Sequence, residues 1–237
     1  MSKYFEELDF QATPIGDLSL RRRHIFALKQ DVLEILLGEE HLMSDLFTTS
    51  EIALSTLGIA ATRGDNLDIA VGGLGLGFTA KAALDDPRTS SLIVIEYLEV
   101  VIDWHKTGLI PLGKTLINDP RNRIVQGDFF ALATSSDGLD PQKPHRKFDA
   151  ILVDIDHEPD FLLSPNNKAF YETSGLTQLR SHLKQDGIFG LWSDALPDQK
   201  FVEHLQNIFD EAWAEIVTFH NPLQDREFSQ TVYLARK

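Results

Sequence analysis

The feature that most constrains the fold of this sequence is an alternation, from residue 64 onward, of short apolar runs and longer amphipathic segments. Such alternation is typical of a parallel sheet with helices on both faces. It predicts seven strands, at residues 67–71, 92–96, 123–126, 148–154, 188–192, 216–219 and 231–235. The last two are joined by a link too short for a helical crossover, so we expect them to pair antiparallel. The intervening helices should begin near Leu76, Glu99, Phe129, Thr173 and Lys200.

The first sixty residues follow another pattern. Short apolar runs between residues 14 and 44, with a turn at Gly38, predict a small antiparallel β lobe. Thr48 and Glu51 then have the spacing of a capping box, which predicts the start of a helix that links the lobe to the rest of the chain. We therefore expect an N-terminal unit at residues 1–63 and a larger α/β unit at residues 64–237.

The amino-acid composition excludes several classes of binding partner and catalytic site. The chain has 36 acidic and 22 basic residues, a net charge of −14, which disfavours nucleic acid or an anionic membrane as a partner and suits a cationic or neutral substrate. It has no cysteine, which excludes disulfides, cysteine-zinc sites and thiol nucleophiles. There is no apolar stretch long enough to span a membrane and no signal-peptide pattern at the acidic N-terminus, so we expect a cytoplasmic location.

A strand that runs into a glycine cluster and then a helix is the strongest local signal. The cluster carries Gly73, Gly75 and Gly77, and its spacing does not fit the dinucleotide fingerprint, which requires glycine at the first, third and sixth positions. A Gly-x-Gly-x-Gly loop is common in enzymes that bind a nucleoside sulfonium. Glycines serve there because the turn needs unusual backbone angles and the ligand must approach the main chain closely.

Acidic residues end the next two strands. Glu96 lies about 20 residues after the loop, where a carboxylate accepts hydrogen bonds from ribose hydroxyls. Asp128 ends the third strand and is placed to accept from an adenine amino group, with Phe129 beside it to flank the base. The alternative is that both acids are solvated or cap helices. Because strand carboxyl ends are the usual ligand site of such sheets, we favour ligand binding.

The fourth strand ends in the polar cluster Asp154, Asp156, His157 and Glu158. A partly desolvated carboxylate at a strand end suits the role of general base, and Asp154 is our candidate. An alternative interpretation places a divalent metal on Asp154, Asp156 and Asp194. The aperiodic segment 156–167 leaves the same strand end, where lids are found.

Together these motifs resemble the spermidine synthases, aminopropyltransferases with a class I methyltransferase fold preceded by a small β lobe. The resemblance runs from about residue 38 to residue 192. It rests on residues 36–38, 73–78, 94–96, 125–128, 148–154, 170–171 and 183–187. It implies a Rossmann-like sheet of seven strands, mostly parallel with the last antiparallel, and a homodimer.

The resemblance also implies roles. Decarboxylated S-adenosylmethionine would be the co-substrate, with its ribose on Glu96 and its adenine on Asp128, and Asp154 would deprotonate the attacking amine. Substrate contacts would come from Asp156, His157 and Tyr171, and no metal would be required. The segment after Asp154 would be the gatekeeping loop.

The sequence departs from the family at three acidic positions. Leu76 falls at the aspartate of the family's Gly-Gly-Gly-Asp-Gly-Gly loop, Leu98 two residues after Glu96, and His157 at the second aspartate of Asp-Ser-Ser-Asp. Three functions therefore stay open: aminopropyl transfer to a small amine, methyl transfer to a small molecule with or without a metal, and non-catalytic binding of an adenosyl ligand.

Overall fold

The computed structural model describes residues 4–237 and contains two β-sheets. The first is the predicted N-terminal lobe, a four-stranded antiparallel sheet in sequential order. Its strands are β1 (Phe5–Thr13), β2 (Gly16–Ile25), β3 (Gln30–Leu37) and β4 (Glu40–Ser44). The sequence prediction began at residue 14 and so missed β1, because this mostly exposed strand shows no clear alternation of buried and exposed residues.

Helix α1 (Thr49–Ala61) connects the lobe to the second sheet, as predicted. Its predicted capping box does not form: Thr48 precedes the helix, but its side chain makes no capping hydrogen bond. Glu51 instead turns its carboxyl group into a cavity at the end of the second sheet, which is described below.

The second sheet has the predicted seven strands. They are β5 (Leu67–Gly72), β6 (Thr89–Glu96), β7 (Asn122–Gln126), β8 (Phe148–Val153), β9 (Leu183–Ser193), β10 (Glu211–Asn221) and β11 (Arg226–Arg236). The order across the sheet is β10-β11-β9-β8-β5-β6-β7. Only β11 runs antiparallel to the other six strands, which confirms the predicted hairpin and the class I methyltransferase-like sheet. Because the chain leaves β5 toward β6 on one side and returns as β8 on the other, a crevice opens at the carboxyl ends of these strands.

Helices cover both faces of this sheet. They are α2 (Phe78–Asp85), α3 (Glu99–Thr107), α4 (Gly113–Asn118), α5 (Phe129–Thr134), α6 (Lys168–Tyr171), α7 (Thr173–Ser181) and α8 (Gln199–Gln206). The five predicted helix starts lie within two residues of observed starts; the short helices α4 and α6 were not predicted. Among residues 4–237, no helix is both long and apolar enough to cross a bilayer.

Alternate residues of the central strands enter separate cores. Ile69 and Val71 pack with α1, α2 and α3, whereas Ala70 packs with α5 and α7. Burial of both faces explains why these strands read as continuous apolar runs in the sequence. The first core continues into the β lobe, and Trp104 of α3 donates a 2.7 Å hydrogen bond to Asp9 of β1. The division at residues 63 and 64 stays a prediction, because lobe and sheet share this core.

Candidate active site

A cavity of about 560 Å³ lies at the carboxyl ends of β5, β6, β7 and β8, beneath the β lobe and the β10–β11 hairpin. We call its two sides the sheet wall and the lobe wall. The sheet wall consists of strand-end residues Gly73, Gly75, Glu96, Asp128 and Asp154. The lobe wall is mostly apolar, with Ile15, Leu18, Ile35, Leu42 and Met43, and it also carries His41 and Ser44. Of the described residues that line the cavity, none is a lysine or an arginine.

The glycine loop brings its main chain to the cavity at two of the three predicted positions. Gly73 has φ +92°, and a Cβ there would collide with the main-chain oxygen of Asp154. Gly75 has φ +45° and also lines the cavity. Gly77 does not line it: this residue lies behind the loop, against Leu116. Glycine is required at position 77 because a Cβ would collide with Leu116 and because the φ of +93° disfavours other residues.

The structure corrects the position at which an acidic loop residue would face the ligand. Leu76 is only 2% exposed and belongs to the apolar core, so a side chain at that position points away from the cavity. Gly75 faces the cavity instead. The thioether of Met43 covers it: a Cβ on Gly75 would lie 2.5 Å from the Met43 sulfur, which also accepts a 3.2 Å hydrogen bond from the main-chain N–H of Leu76. An acidic side chain at Gly75 would therefore require the Met43 side chain of the β lobe to move aside.

A buried imidazole supports this loop from behind. His105 of α3 is completely buried, and its Nε2 lies 2.9 Å from the main-chain oxygen of Gly75. A carbonyl oxygen only accepts, so Nε2 carries the hydrogen. Burial lowers the pKa of His105, which keeps the ring neutral. The loop is thus fixed on one side by His105 and on the other by Met43.

Glu96 lies where the sequence predicted, at the end of β6, and is 9% exposed. Its Oε2 accepts from the main-chain N–H of Leu74 at 3.0 Å and its Oε1 from that of Leu98 at 2.8 Å. Burial raises the pKa of Glu96, and these main-chain donors oppose the increase. Each carboxylate oxygen has two acceptor sites, so Glu96 keeps capacity to accept from a ligand.

Asp128 and Phe129 occupy the end of β7 and differ in exposure. Asp128 caps α5, because its Oδ1 accepts from the main-chain N–H groups of Phe130 at 2.9 Å and Ala131 at 3.2 Å. Its Oδ2 has no hydrogen-bond partner among residues 4–237, and Asp128 lines the cavity. Phe129 is 2% exposed and packs edge-on against Phe130 and Phe170, so it contributes only a small part of the lining.

Asp154 follows β8 and faces the cavity beside the glycine loop. Its Oδ2 accepts a 2.5 Å hydrogen bond from the Thr79 hydroxyl at the start of α2. Burial by surrounding protein atoms raises the pKa of Asp154 to about 6, and the Thr79 hydrogen bond opposes part of this increase. Asp154 is therefore mostly ionised at pH 7 yet has a pKa near neutrality, as a general base requires.

Two more carboxyl groups share this end of the cavity, and we call Glu51, Asp154 and Asp194 the carboxylate cluster. Glu51 is 9% exposed, and Asp194 accepts a 2.6 Å hydrogen bond from the side-chain amide of Gln230 in β11. Sequence reasoning missed Glu51, because its spacing from Thr48 fits a capping box. No sequence signal pointed to Gln230, which β11 brings from the other end of the chain.

Asp156 and Tyr171 lie behind the cavity lining rather than in it. Asp156 is 1% exposed and accepts from the Leu163 main-chain N–H at 2.8 Å, the Asn167 amide at 2.8 Å and the Tyr171 hydroxyl at 2.9 Å. Its acceptor capacity is thus directed inward, where it holds the loop that follows β8. The structure does not bring these two residues together with the other predicted substrate contacts.

His157 does line the cavity, at its rim. Its Nε2 lies 2.9 Å from Oε1 of Glu40 in β4, and its ring stacks on Phe161 at 5.1 Å between centroids. The loop after β8 is therefore attached to the β lobe across the mouth of the cavity.

The described part of the chain contains no group of three histidine or acidic side chains arranged to hold a metal ion. The alternative set Asp154, Asp156 and Asp194 does not converge, because Asp156 is turned toward Asn167 and Tyr171.

Two solved structures are similar to this chain over nearly its whole length. One is a spermidine synthase in complex with the transition-state analogue AdoDATO: the TM-score is 0.74 at 14% sequence identity, over 98% of this chain and 73% of the other. The fold is that of spermidine synthase. A second structure, spermidine synthase from Thermotoga maritima, gives a TM-score of 0.71 at 13% identity, over 98% of this chain and 72% of the other. No protein-family model and no curated protein matches the sequence.

Proposed function

We propose that this chain is a transferase that binds an adenosyl sulfonium, decarboxylated S-adenosylmethionine, and passes its aminopropyl group to a small amine, as in polyamine biosynthesis. The observation that carries the proposal is that one cavity brings together Glu96, Asp128 and Asp154 from three strand ends. The shared fold with a spermidine synthase bound to AdoDATO supports the same class of ligand. Homodimer assembly and a cytoplasmic location stay predictions.

Glu96 and Asp128 would hold the nucleoside. Glu96 is fixed by main-chain donors and keeps acceptor sites for the ribose hydroxyls. Asp128 is oriented by the first turn of α5 through one oxygen and presents the other, which has no partner in the described chain, to an adenine amino group. Gly73 and Gly75 let the nucleoside approach the main chain without a clash.

Asp154 would act as the general base. A sulfonium supplies an electrophilic carbon and a sulfur that departs as a neutral thioether. The amine nitrogen forms the new bond to that carbon, the carbon–sulfur pair returns to sulfur, and Asp154 accepts the proton that the nitrogen loses. The hydrogen bond from Thr79 fixes one oxygen and leaves the other for the amine. Proximity within the cavity would supply much of the remaining rate.

Methyl transfer from intact S-adenosylmethionine is the second candidate, and Met43 favours it. The glycine loop presents no acid to the cavity, since Gly75 is covered by the Met43 thioether and Leu76 is in the core. A donor whose only tail charge is an ammonium thus finds no ionic partner at the loop, and no acid there repels the tail carboxylate of intact S-adenosylmethionine.

Product analysis distinguishes these functions. The protein is incubated with each donor and a panel of aliphatic amines, and the nucleoside released is identified by chromatography. Aminopropyl transfer releases methylthioadenosine, whereas methyl transfer releases S-adenosylhomocysteine. A thermal shift with both nucleosides runs in parallel. Binding without either product would favour the non-catalytic alternative, and neither binding nor product would refute the proposal.

A further inference from the structure

The proposed function gives no role to Glu51 of the carboxylate cluster. Glu51 lies in the first turn of α1, lines the cavity and is 9% exposed. A helix N-terminus tolerates an acid, but burial of a third carboxylate beside Asp154 and Asp194 is costly. The hydrogen bonds around Glu51 indicate how this cost is avoided.

Those hydrogen bonds meet at the hydroxyl of Ser50, which is 1% exposed. Three groups surround its Oγ: the indole N–H of Trp192 at 2.9 Å, Oε1 of Gln230 at 2.6 Å and Oε2 of Glu51 at 2.9 Å. The amide of Gln230 is oriented by Asp194, to which its Nε2 donates at 2.6 Å. Its Oε1 therefore faces Ser50, and that oxygen can only accept.

Counting hydrogens then places a proton on Glu51. Ser50 has a single hydroxyl hydrogen, and the shorter contact gives it to Gln230. The oxygen of Ser50 accepts from Trp192 and has one lone pair left, directed at Glu51. If Glu51 were ionised, a lone pair of its carboxylate would face the lone pair of Ser50 and the two would repel. A protonated carboxyl group instead donates a hydrogen bond to the Ser50 oxygen. The network is complete only when Glu51 is a carboxylic acid.

The charges around Glu51 agree with this count. Asp154 at the end of β8 and Asp194 after β9 face it, and the two imidazoles in the cavity lining, His41 and His157, are paired with other acids. Burial, together with the negative charge of Asp154, raises the pKa of Glu51 to about 8. The main-chain N–H of Glu51 itself opposes this increase only in part, and a Ser50 hydroxyl that donates to Gln230 has no hydrogen left with which to oppose it.

We propose that Glu51 holds a proton in the ligand-free site and releases it when a cationic amine binds, so that the carboxylate cluster exchanges one proton for one ammonium group. The ligand class rests on the proposed function; the protonation of Glu51 does not. An ammonium group beside Asp154 and Asp194 replaces the positive charge that the proton supplied, and the ionised Glu51 then gains a charged donor.

The exchange makes amine binding depend on pH. Glu51 loses its proton more easily in the complex than in the free protein, so affinity is full above the pKa of free Glu51, about 8, and falls as pH decreases below it. One proton released per amine gives a tenfold weaker Kd per pH unit in that range. A Glu51→Gln variant cannot release a proton, yet its amide N–H still donates to Ser50.

The first test needs no ligand. Difference infrared spectra between pH 6.5 and pH 9 should show a protonated carboxyl band in the wild-type protein that Glu51→Gln lacks. Glu203→Gln, a matched change at an exposed position of α8, should keep the band. Equal melting temperatures of the wild type and Glu51→Gln would show that the amide preserves the network. A wild-type spectrum without the Glu51-dependent band would overturn the proposal.

The second test measures the exchange by calorimetry. Binding of n-butylamine is measured with saturating methylthioadenosine at pH 7 and at pH 8, in two buffers of different ionisation enthalpy at each pH. We expect release of up to one proton by the wild type and by Glu203→Gln, and none from Glu51→Gln, which should bind about tenfold more weakly at pH 8. Binding without proton release overturns the exchange alone. Failure of the wild type to bind the amine overturns the exchange and the proposed function together, while the infrared band still decides where the proton resides.

Discussion

The two walls of the cavity differ in what they contribute. The sheet wall carries polar groups held by main-chain hydrogen bonds and helix starts, as with Glu96 and Asp128. The lobe wall offers apolar side chains and the Met43 thioether. The sheet wall thus supplies the chemistry and the lobe wall decides which donor tail fits. The substitutions below test this division, from the largest expected effect to the smallest.

Asp154→Asn should remove the chemistry of the sheet wall and leave donor binding intact. An asparagine oxygen still accepts from Thr79, so the fold is preserved, but the amide takes up no proton. Loss of a general base lowers kcat by about 10²–10⁴-fold. Steady-state kinetics and donor titration measure both quantities. Asp160→Asn, an exposed change in the neighbouring loop, is the control, and an active Asp154→Asn protein would remove Asp154 as the base.

The same carboxylate sets a pH profile. Because the pKa of Asp154 is raised to about 6, kcat/KM for the donor, measured at saturating amine so that the pH dependence of amine binding does not enter, should be half-maximal near pH 6 and decrease about tenfold per unit below it, as the base becomes protonated. Rates measured from pH 4.5 to 7 give this limb directly. If the rate were instead half-maximal near pH 4, the base would be a solvated carboxylate elsewhere in the protein.

Glu96→Gln should weaken donor binding. The substitution replaces a carboxylate by an amide whose N–H₂ group faces the main-chain donor of Leu74 or Leu98. Hydrogen bonds to charged groups contribute about 1.5–3 kcal/mol, so we expect the donor Kd to rise at least roughly tenfold. Calorimetric titration checks this, with Glu99→Gln on the exposed start of α3 as control. Equal Kd values for the two variants would contradict a ribose contact.

A double substitution tests the lobe wall. Met43→Ala clears the space above Gly75, and Gly75→Asp then adds an acid at a φ of +45°, which aspartate tolerates. The pair should shift preference toward decarboxylated S-adenosylmethionine by roughly tenfold, because the new carboxylate repels the tail carboxylate of intact S-adenosylmethionine, which the decarboxylated donor lacks. Competition between the two donors measures the shift. Met43→Ala alone should leave the ratio unchanged, and a similar shift in the single variant would assign it to space rather than charge.

The smallest effect is expected at the rim. The pair between His157 and Glu40 is partly solvated, so His157→Ala should change KM by less than about fivefold. Glu40→Gln should give the same change, and the double variant no more than either. Additive effects would show that each residue acts on its own.

The sequence predicted the sheet wall well because strand ends are read from local patterns. Glu96, Asp128 and Asp154 each end an apolar run, and each borders the cavity. Asp156 followed the same run, yet the chain has left the strand there and the side chain turns inward to Asn167 and Tyr171.

The lobe wall was not predictable, because its placement depends on how two sheets pack. Nothing in the sequence around Met43 indicates that its sulfur covers Gly75. Glu51 was assigned to a capping box because its spacing from Thr48 fits one. A glutamate that faces the cavity can have the same spacing, and only the packing of α1 against β8 and β11 distinguishes the two roles.

The hydrogen bond between Ser50 and Gln230 joins positions 180 residues apart. The amine end of the cavity therefore cannot exist in a nascent chain until β11, its last strand, has emerged and inserted between β9 and β10. A partly synthesised or proteolytically shortened molecule that lacks β11 would keep the strand ends that form the nucleoside side of the cavity but would lack the amine side. Only a chain that includes β11 can therefore bind an acceptor amine.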